Sequence, residues 1–111
     1  MMIFHLVTKS DWQRSRKIGT YTPPSLEKDG YIHACHKDQI LSVANALFAG
    51  IPDLLVLVID TDEIEKKLIK EKKDKKGEKH PHIYGPISID AVVNVQALKP
   101  NKEGIFTVLT F

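Results

Sequence analysis

Leu54-Leu55-Val56-Leu57-Val58-Ile59 is an unbroken apolar run, entered through Pro52-Asp53 and left at Asp60. A run of this length that admits no polar residue fits a central strand covered on both faces. The rest of the chain reads as the material that covers it. Met2 to Thr8 is a second short apolar stretch bounded by polar residues, a strand with Ile3, His5 and Val7 on one face. Tyr31 to Cys35 is a third, with Tyr31, His33 and Cys35 on one face and Ile32 and Ala34 on the other. His82 to Tyr84, Ala91 to Leu98 and Gly104 to Phe111 complete the strand candidates, the last two joined through Pro100-Asn101.

Two helices accompany the strands. Ile40, Leu41, Val43, Ala44, Leu47 and Phe48 recur at helical spacing within Lys37 to Phe48, with Asp38 near the positive end and Gly50 as the stop. Ser10 is a candidate N-cap for a shorter helix that carries Trp12 and Ile18 and ends at Gly19. Gly19 to Asp29, with Pro23-Pro24, has the chemistry of an ordered loop. Asp60 to Ile69 suits a short helix or a short strand, and Lys72 to Lys79 a flexible hairpin-like loop. The expectation is one α+β domain over residues 1–111, strand-rich, antiparallel-rich and without internal repeats.

With 42% hydrophobic and 27% charged residues, the composition supports a packed core and argues against disorder. No stretch approaches the roughly 18 apolar residues of a membrane span, and Met1 to Val7 lacks the features of a signal peptide, so a cytoplasmic location without membrane partners is expected. The single cysteine agrees with a reducing compartment. The net charge of +2 is unevenly placed: Glu63 to Lys79 holds eight lysines against five acids, leaving eight basic and nine acidic residues elsewhere. A duplex-binding protein carries a basic stripe over its folded body, whereas this excess is local. A solvated helix end and loop is the plain reading of the run; contact with a substrate phosphate or with RNA is the functional one.

Polar titratable residues interrupt the apolar runs at His5, at His33 and at His80-Pro81-His82-Ile83-Tyr84-Gly85-Pro86. Burying an unpaired polar group costs about 1–3 kcal/mol, so each such histidine needs a partner or a cleft. Three interruptions in a chain this small suggest a shared site. His33, Cys35 and His36 supply metal-ligand types, but adjacent strand residues point oppositely and no paired-cysteine or helical His-x-x-x-His spacing is present, so no metal is expected. Cys35 beside His33 also has the residue types of a thiolate nucleophile, although no third group to orient the base is visible. The glycines form neither of the common phosphate-binding patterns.

Several pieces together resemble the bacterial domain-of-unknown-function family 952: Ile3-Phe4-His5, Trp12, Gly19 with Tyr21, Ser25, Gly30-Tyr31-Ile32-His33, Gln39 with Val43-Ala44-Asn45 and Phe48, the strand from Leu55 to Asp60, Glu71, and Pro81 to Pro86. At greater distance that family resembles the ADP-ribosyltransferase fold, including its RNA 2′-phosphotransferase branch. The resemblance implies a small split antiparallel-rich sheet with two main helices and a cleft for NAD or an ADP-ribose-containing nucleotide. It gives His5 a hydrogen bond to a ribose hydroxyl, places His33 at the nicotinamide side as donor or general base, and has His82 hold substrate or phosphate. Tyr21, Tyr31 or Tyr84 would stack on a flat ring, with Gly30, Cys35 and Gln39 in the pocket wall. The glutamate that the transferases place at their third signature position is missing, since no acid stands between His82 and Pro86; Arg14 and Arg16 are the only arginines. The resemblance therefore implies transfer of ADP-ribose to an RNA or protein acceptor, or processing of a phosphate adduct. The alternatives are a non-catalytic module binding a nucleotide or nucleic-acid end, and a metal-assisted hydrolase using His33, Cys35 and His36.

Overall fold

The apolar run forms the middle strand of a three-stranded antiparallel sheet. In the computed structural model, which describes all of residues 1–111, β5 (Leu54–Asp60) lies between β1 (Met2–Thr8) and β9 (Val92–Leu98). The remaining elements, in chain order, are α1 (Lys9–Ser15), β2 (Arg16–Lys17), β3 (Thr20–Tyr21), α2 (Pro24–Asp29), β4 (Ile32–His33), α3 (Ile40–Leu47), β6 (Ile69–Lys73), β7 (Lys79–Ile83) and β8 (Ile87–Ser88). Two further antiparallel sheets have the orders β2-β3-β8 and β4-β7-β6. The protein is thus a small α+β fold with three sheets and few helices. No helix is long and apolar enough to cross a membrane.

Strand alternation divides the core in two. Leu57 and Ile59, with Ile3 and Val7 of β1, pack against Trp12, Tyr21, Ile32 and Ile83. Leu54 and Val56, with Phe4 and Leu6, face α3 through Ile40 and Ala44 and meet Leu98 and Phe106. The first and third sheets share one backbone bridge, where Phe4 N–H donates to the Cys35 carbonyl at 2.9 Å and Cys35 N–H to the Phe4 carbonyl at 2.7 Å. β4 itself pairs with β7, so β1 is left with an open edge beyond that contact.

Several expectations require correction. There are three α-helices rather than two. Thr8, not Ser10, caps α1, accepting from Asp11 N–H at 3.2 Å, and the helix stops at Ser15. Arg16 and Lys17 turn instead into a hairpin with β3, and Gly19 at φ +78° belongs to its turn. The expected loop over Gly19 to Asp29 folds into β3 and α2, because Pro24 occupies the first turn of a helix and Gly30, left-handed at φ +84°, ends it. Part of the lysine run is ordered as β6. Gly104 to Phe111 forms no strand: Phe106 is held by the Asn45 side chain, which donates to its carbonyl at 2.9 Å and accepts from its N–H at 2.8 Å. An amide side chain on α3 there replaces the neighbouring strand that a ladder needs.

Candidate functional site

Alternation along β1 turns His5 toward the Trp12–Tyr21 half of the core, where it is 5% exposed. Its Nδ1 lies 2.5 Å from the His33 carbonyl and its Nε2 2.7 Å from the Tyr21 hydroxyl. A carbonyl only accepts, so Nδ1 carries the proton and Nε2 accepts from Tyr21. Burial pushes the imidazole down to about 4 and raises the Tyr21 hydroxyl, the latter with help from the Asp11 charge. His5 is therefore a neutral strut that joins all three sheets at the place where β1 and β4 part. Both its nitrogens are taken by protein partners, so a contact with a ribose hydroxyl would have to replace one of them. Tyr21, fully buried, has no open face for stacking.

His33 has the opposite environment. Its side chain is 48% exposed, with Nε2 2.8 Å from Asp29 Oδ2. The carboxylate accepts, which puts a proton on Nε2, and Nδ1 has no protein partner. Gly30 makes this pairing possible by reversing the chain between the end of α2 and β4, so its part is in the backbone turn. On the neighbouring strand His82 pairs in register with His33 and stacks on Tyr31, with centroids 3.8 Å apart and planes 9° from parallel. His82 Nδ1 lies 3.1 Å from the Tyr84 hydroxyl. Partial burial, followed by the charges of His33, His80 and Lys72, keeps His82 below the ordinary histidine range. His33, Tyr31, His82 and Tyr84 thus form one cluster of rings, from which His5 is absent.

Two clefts meet at His33. The first, about 340 Å³, lies between β1, α3 and the start of α2, with Val43, Leu47 and Phe48 among its apolar walls and His5, Ser25, Asp29 and His33 among its polar ones. Phe4 bonds Cys35 through both its backbone groups, so the two-residue period turns the N–H and C=O of Leu6 to the same open edge. The Ser25 hydroxyl oxygen is buried and has no hydrogen-bond partner. The second cleft, about 510 Å³, separates α3 at Ser42, Val43, Ala46 and Leu47 from the β6–β7 hairpin, and includes Tyr31, His33 and His82.

Cys35 stands in the wall of the first cleft, as expected, but not as a reactive group. Cys35 is 2% exposed, and burial, with a smaller contribution from Asp38, pushes its thiol up to about 12, far from a thiolate nucleophile. His36 is bound to Glu71 and His33 to Asp29, so the three residues of the hydrolase alternative do not converge. Three potential metal ligands do come within 4.8 Å of one another at Asp74, Glu78 and His80, on the hairpin turn. Gln39 serves as a clip, accepting from His36 N–H and donating to the Lys79 carbonyl, both at 2.9 Å. Sequence reasoning missed Asp29 and the open edge at Leu6. Asp29 precedes a glycine four residues before His33, a spacing without meaning until the turn is known. The edge at Leu6 could only be found by knowing the partners of β1.

The fold has solved counterparts. The crystal structure of protein CC0527 from Caulobacter crescentus superimposes with a TM-score of 0.85 at 20% identity, covering 96% of this chain and 94% of that one. The solution structure of CC0527 gives 0.79 at 21% identity, covering 96% and 91%. At that identity the likeness establishes a shared fold. No curated protein matches the chain. A family model described as protein of unknown function (DUF952) matches residues 6–95 of the 111, and the chain belongs to that family.

Proposed function

We propose that the protein binds NAD or a related ADP-ribose-containing nucleotide in the first cleft, on an ADP-ribosyltransferase-like split sheet, and transfers ADP-ribose from it. The observation that carries this reading is the pairing, in one apolar cleft, of the open Leu6 main-chain edge with the unsatisfied Ser25 hydroxyl. A backbone N–H beside a C=O complements a carboxamide, which also offers one acceptor and one donor. A buried hydroxyl with no protein partner carries a desolvation cost that a ligand acceptor would relieve. The nicotinamide ring then lies against Val43, Leu47 and Phe48, and its ribose reaches toward His33. His82 and the hairpin lysines lie on the far side of His33, where the phosphates of a nucleic-acid acceptor are best received.

In the reaction, the bond between ribose C1′ and the nicotinamide nitrogen breaks and its electron pair leaves with the ring. An acceptor hydroxyl forms the new bond at the same carbon, and His33 Nδ1 takes its proton. Asp29, holding Nε2–H, orients the ring for this task. His5 acts at one remove, by holding the His33 carbonyl. An RNA or protein hydroxyl suits as acceptor, and an acceptor phosphate would need no base.

Calorimetric titration with NAD, ADP-ribose and a 2′-phosphorylated RNA tests the cleft. Ser25→Ala should weaken binding about three- to tenfold, the worth of one net hydrogen bond, without lowering stability. No heat from any of the three ligands with folded protein would overturn the assignment. His33→Ala should abolish transfer while sparing the fold; binding without any turnover in the parent protein would favour the non-catalytic module.

A further inference from the structure

We infer that the second cleft, between α3 and the β6–β7 hairpin, binds a short segment of single-stranded nucleic acid. Lys70, Lys72, Lys73, Lys75, Lys76 and Lys79 all lie on this hairpin, all are exposed, and none is held in an ion pair. Two of the three acids interspersed with them are held by partners other than these lysine side chains. Glu71 binds His36, and Asp74 binds His80 together with the backbone N–H groups of Lys76 and Glu78. Lys72, Lys73, Lys75 and Lys76 line the cleft with Asp74 and Glu78, a surplus of two positive charges there, and the turn is held in place by the Asp74 contacts.

Lysines alone would attract any polyanion. Here they flank flat rings: Tyr31 stacks on His82, Tyr84 lies beside both, and Lys70 Nζ sits 6.0 Å from the Tyr84 ring centroid. Phosphates at regular intervals and bases with free π faces are the ligand features that such a surface matches. A duplex hides its base faces, and an acidic peptide carries no regular array of flat rings. Since His33 lines both clefts, the strand bound here would meet the nucleotide of the first cleft at that residue. Only this meeting rests on the nucleotide reading; strand binding stands on the hairpin.

Fluorescence anisotropy of labelled hexanucleotides, one of RNA and one of DNA, gives the test. Affinity should fall with salt at a logarithmic slope of about −1.5 to −2, as for two to three phosphates on a single strand. The double variant Lys72→Gln/Lys75→Gln should bind at least tenfold more weakly and flatten that slope by about 1.4. Tyr31→Leu, which keeps an apolar side chain but removes the flat face, should cost at least fivefold. Lys9→Gln/Lys99→Gln, on a different hollow beside α1, should change nothing. The tighter of RNA and DNA identifies the source of the strand. Equal affinity for polyglutamate, equal losses from the two lysine pairs, or an unaltered Tyr31→Leu would each overturn the proposal. NAD titrated into the same parent protein reports on the first cleft separately, so failure of one site leaves the other readable.

Discussion

His5 couples stability to pH through a single buried ring. Folded, it takes a proton only near pH 4; unfolded, it does so near its reference value of 6.5. Between those values the unfolded chain binds more protons, so this contribution to stability rises with pH, is complete above about 6.5 and is lost as pH falls toward 4. The full span is worth about 3 kcal/mol. Urea unfolding at pH 7 and pH 4.5 should show most of that difference, and His5→Gln should remove it while lowering stability at pH 7. An equal pH slope in parent and variant would assign the acid sensitivity to other groups. The same residue scale separates the histidines: His5 is consumed by protein partners at both nitrogens, whereas His33 keeps one nitrogen free.

Short connections position the site at the scale of elements. α2 ends in a left-handed Gly30, and a Cβ built there would meet no atom within 4 Å, so any cost of Gly30→Ala is conformational. We expect a loss of about 1 kcal/mol, measured by urea unfolding, together with a larger loss of NAD affinity, because the turn also sets the Asp29–His33 pair. On the other side of the sheet, Asn45 of α3 pins the last segment of the chain through two hydrogen bonds to Phe106. Asn45→Ala should destabilise by about 2 kcal/mol, two net hydrogen bonds of ordinary worth. Amide exchange at Phe106 should accelerate in that variant; unchanged exchange would mean that the apolar contacts of Phe106 suffice.

Three small sheets share one apolar cluster, and a few polar contacts fix how they meet. The Phe4–Cys35 pair closes one seam, and the His5 imidazole ties β1 to β3 and β4. The two clefts flank the ring that projects nearest to that junction, His33. Much of this was legible in the chain. The central strand at Leu54–Ile59, the alternation of Ile3-His5-Val7 and of Tyr31 to Ala34, and the helix over Ile40 to Leu47 all follow from local periodicity. Other features were not. Gly19 reads equally well as a helix stop or a hairpin turn, and the choice depended on β8 lying beside β3. Gly104 to Phe111 has strand composition, yet α3 offers it a side chain in place of a strand.

Local patterning by itself determined where strands and helices form and which side chains share a face, because those depend on neighbours one to four positions away. Only the tertiary structure decided which histidine of the cleft is a buried strut and which is exposed with a nitrogen unpartnered. His5 finds its partners 16 and 28 residues away, at Tyr21 and His33, and at such separations the pairing is set by how the sheets pack. The same packing leaves the edge of β1 open at Leu6 and the Ser25 hydroxyl without a partner.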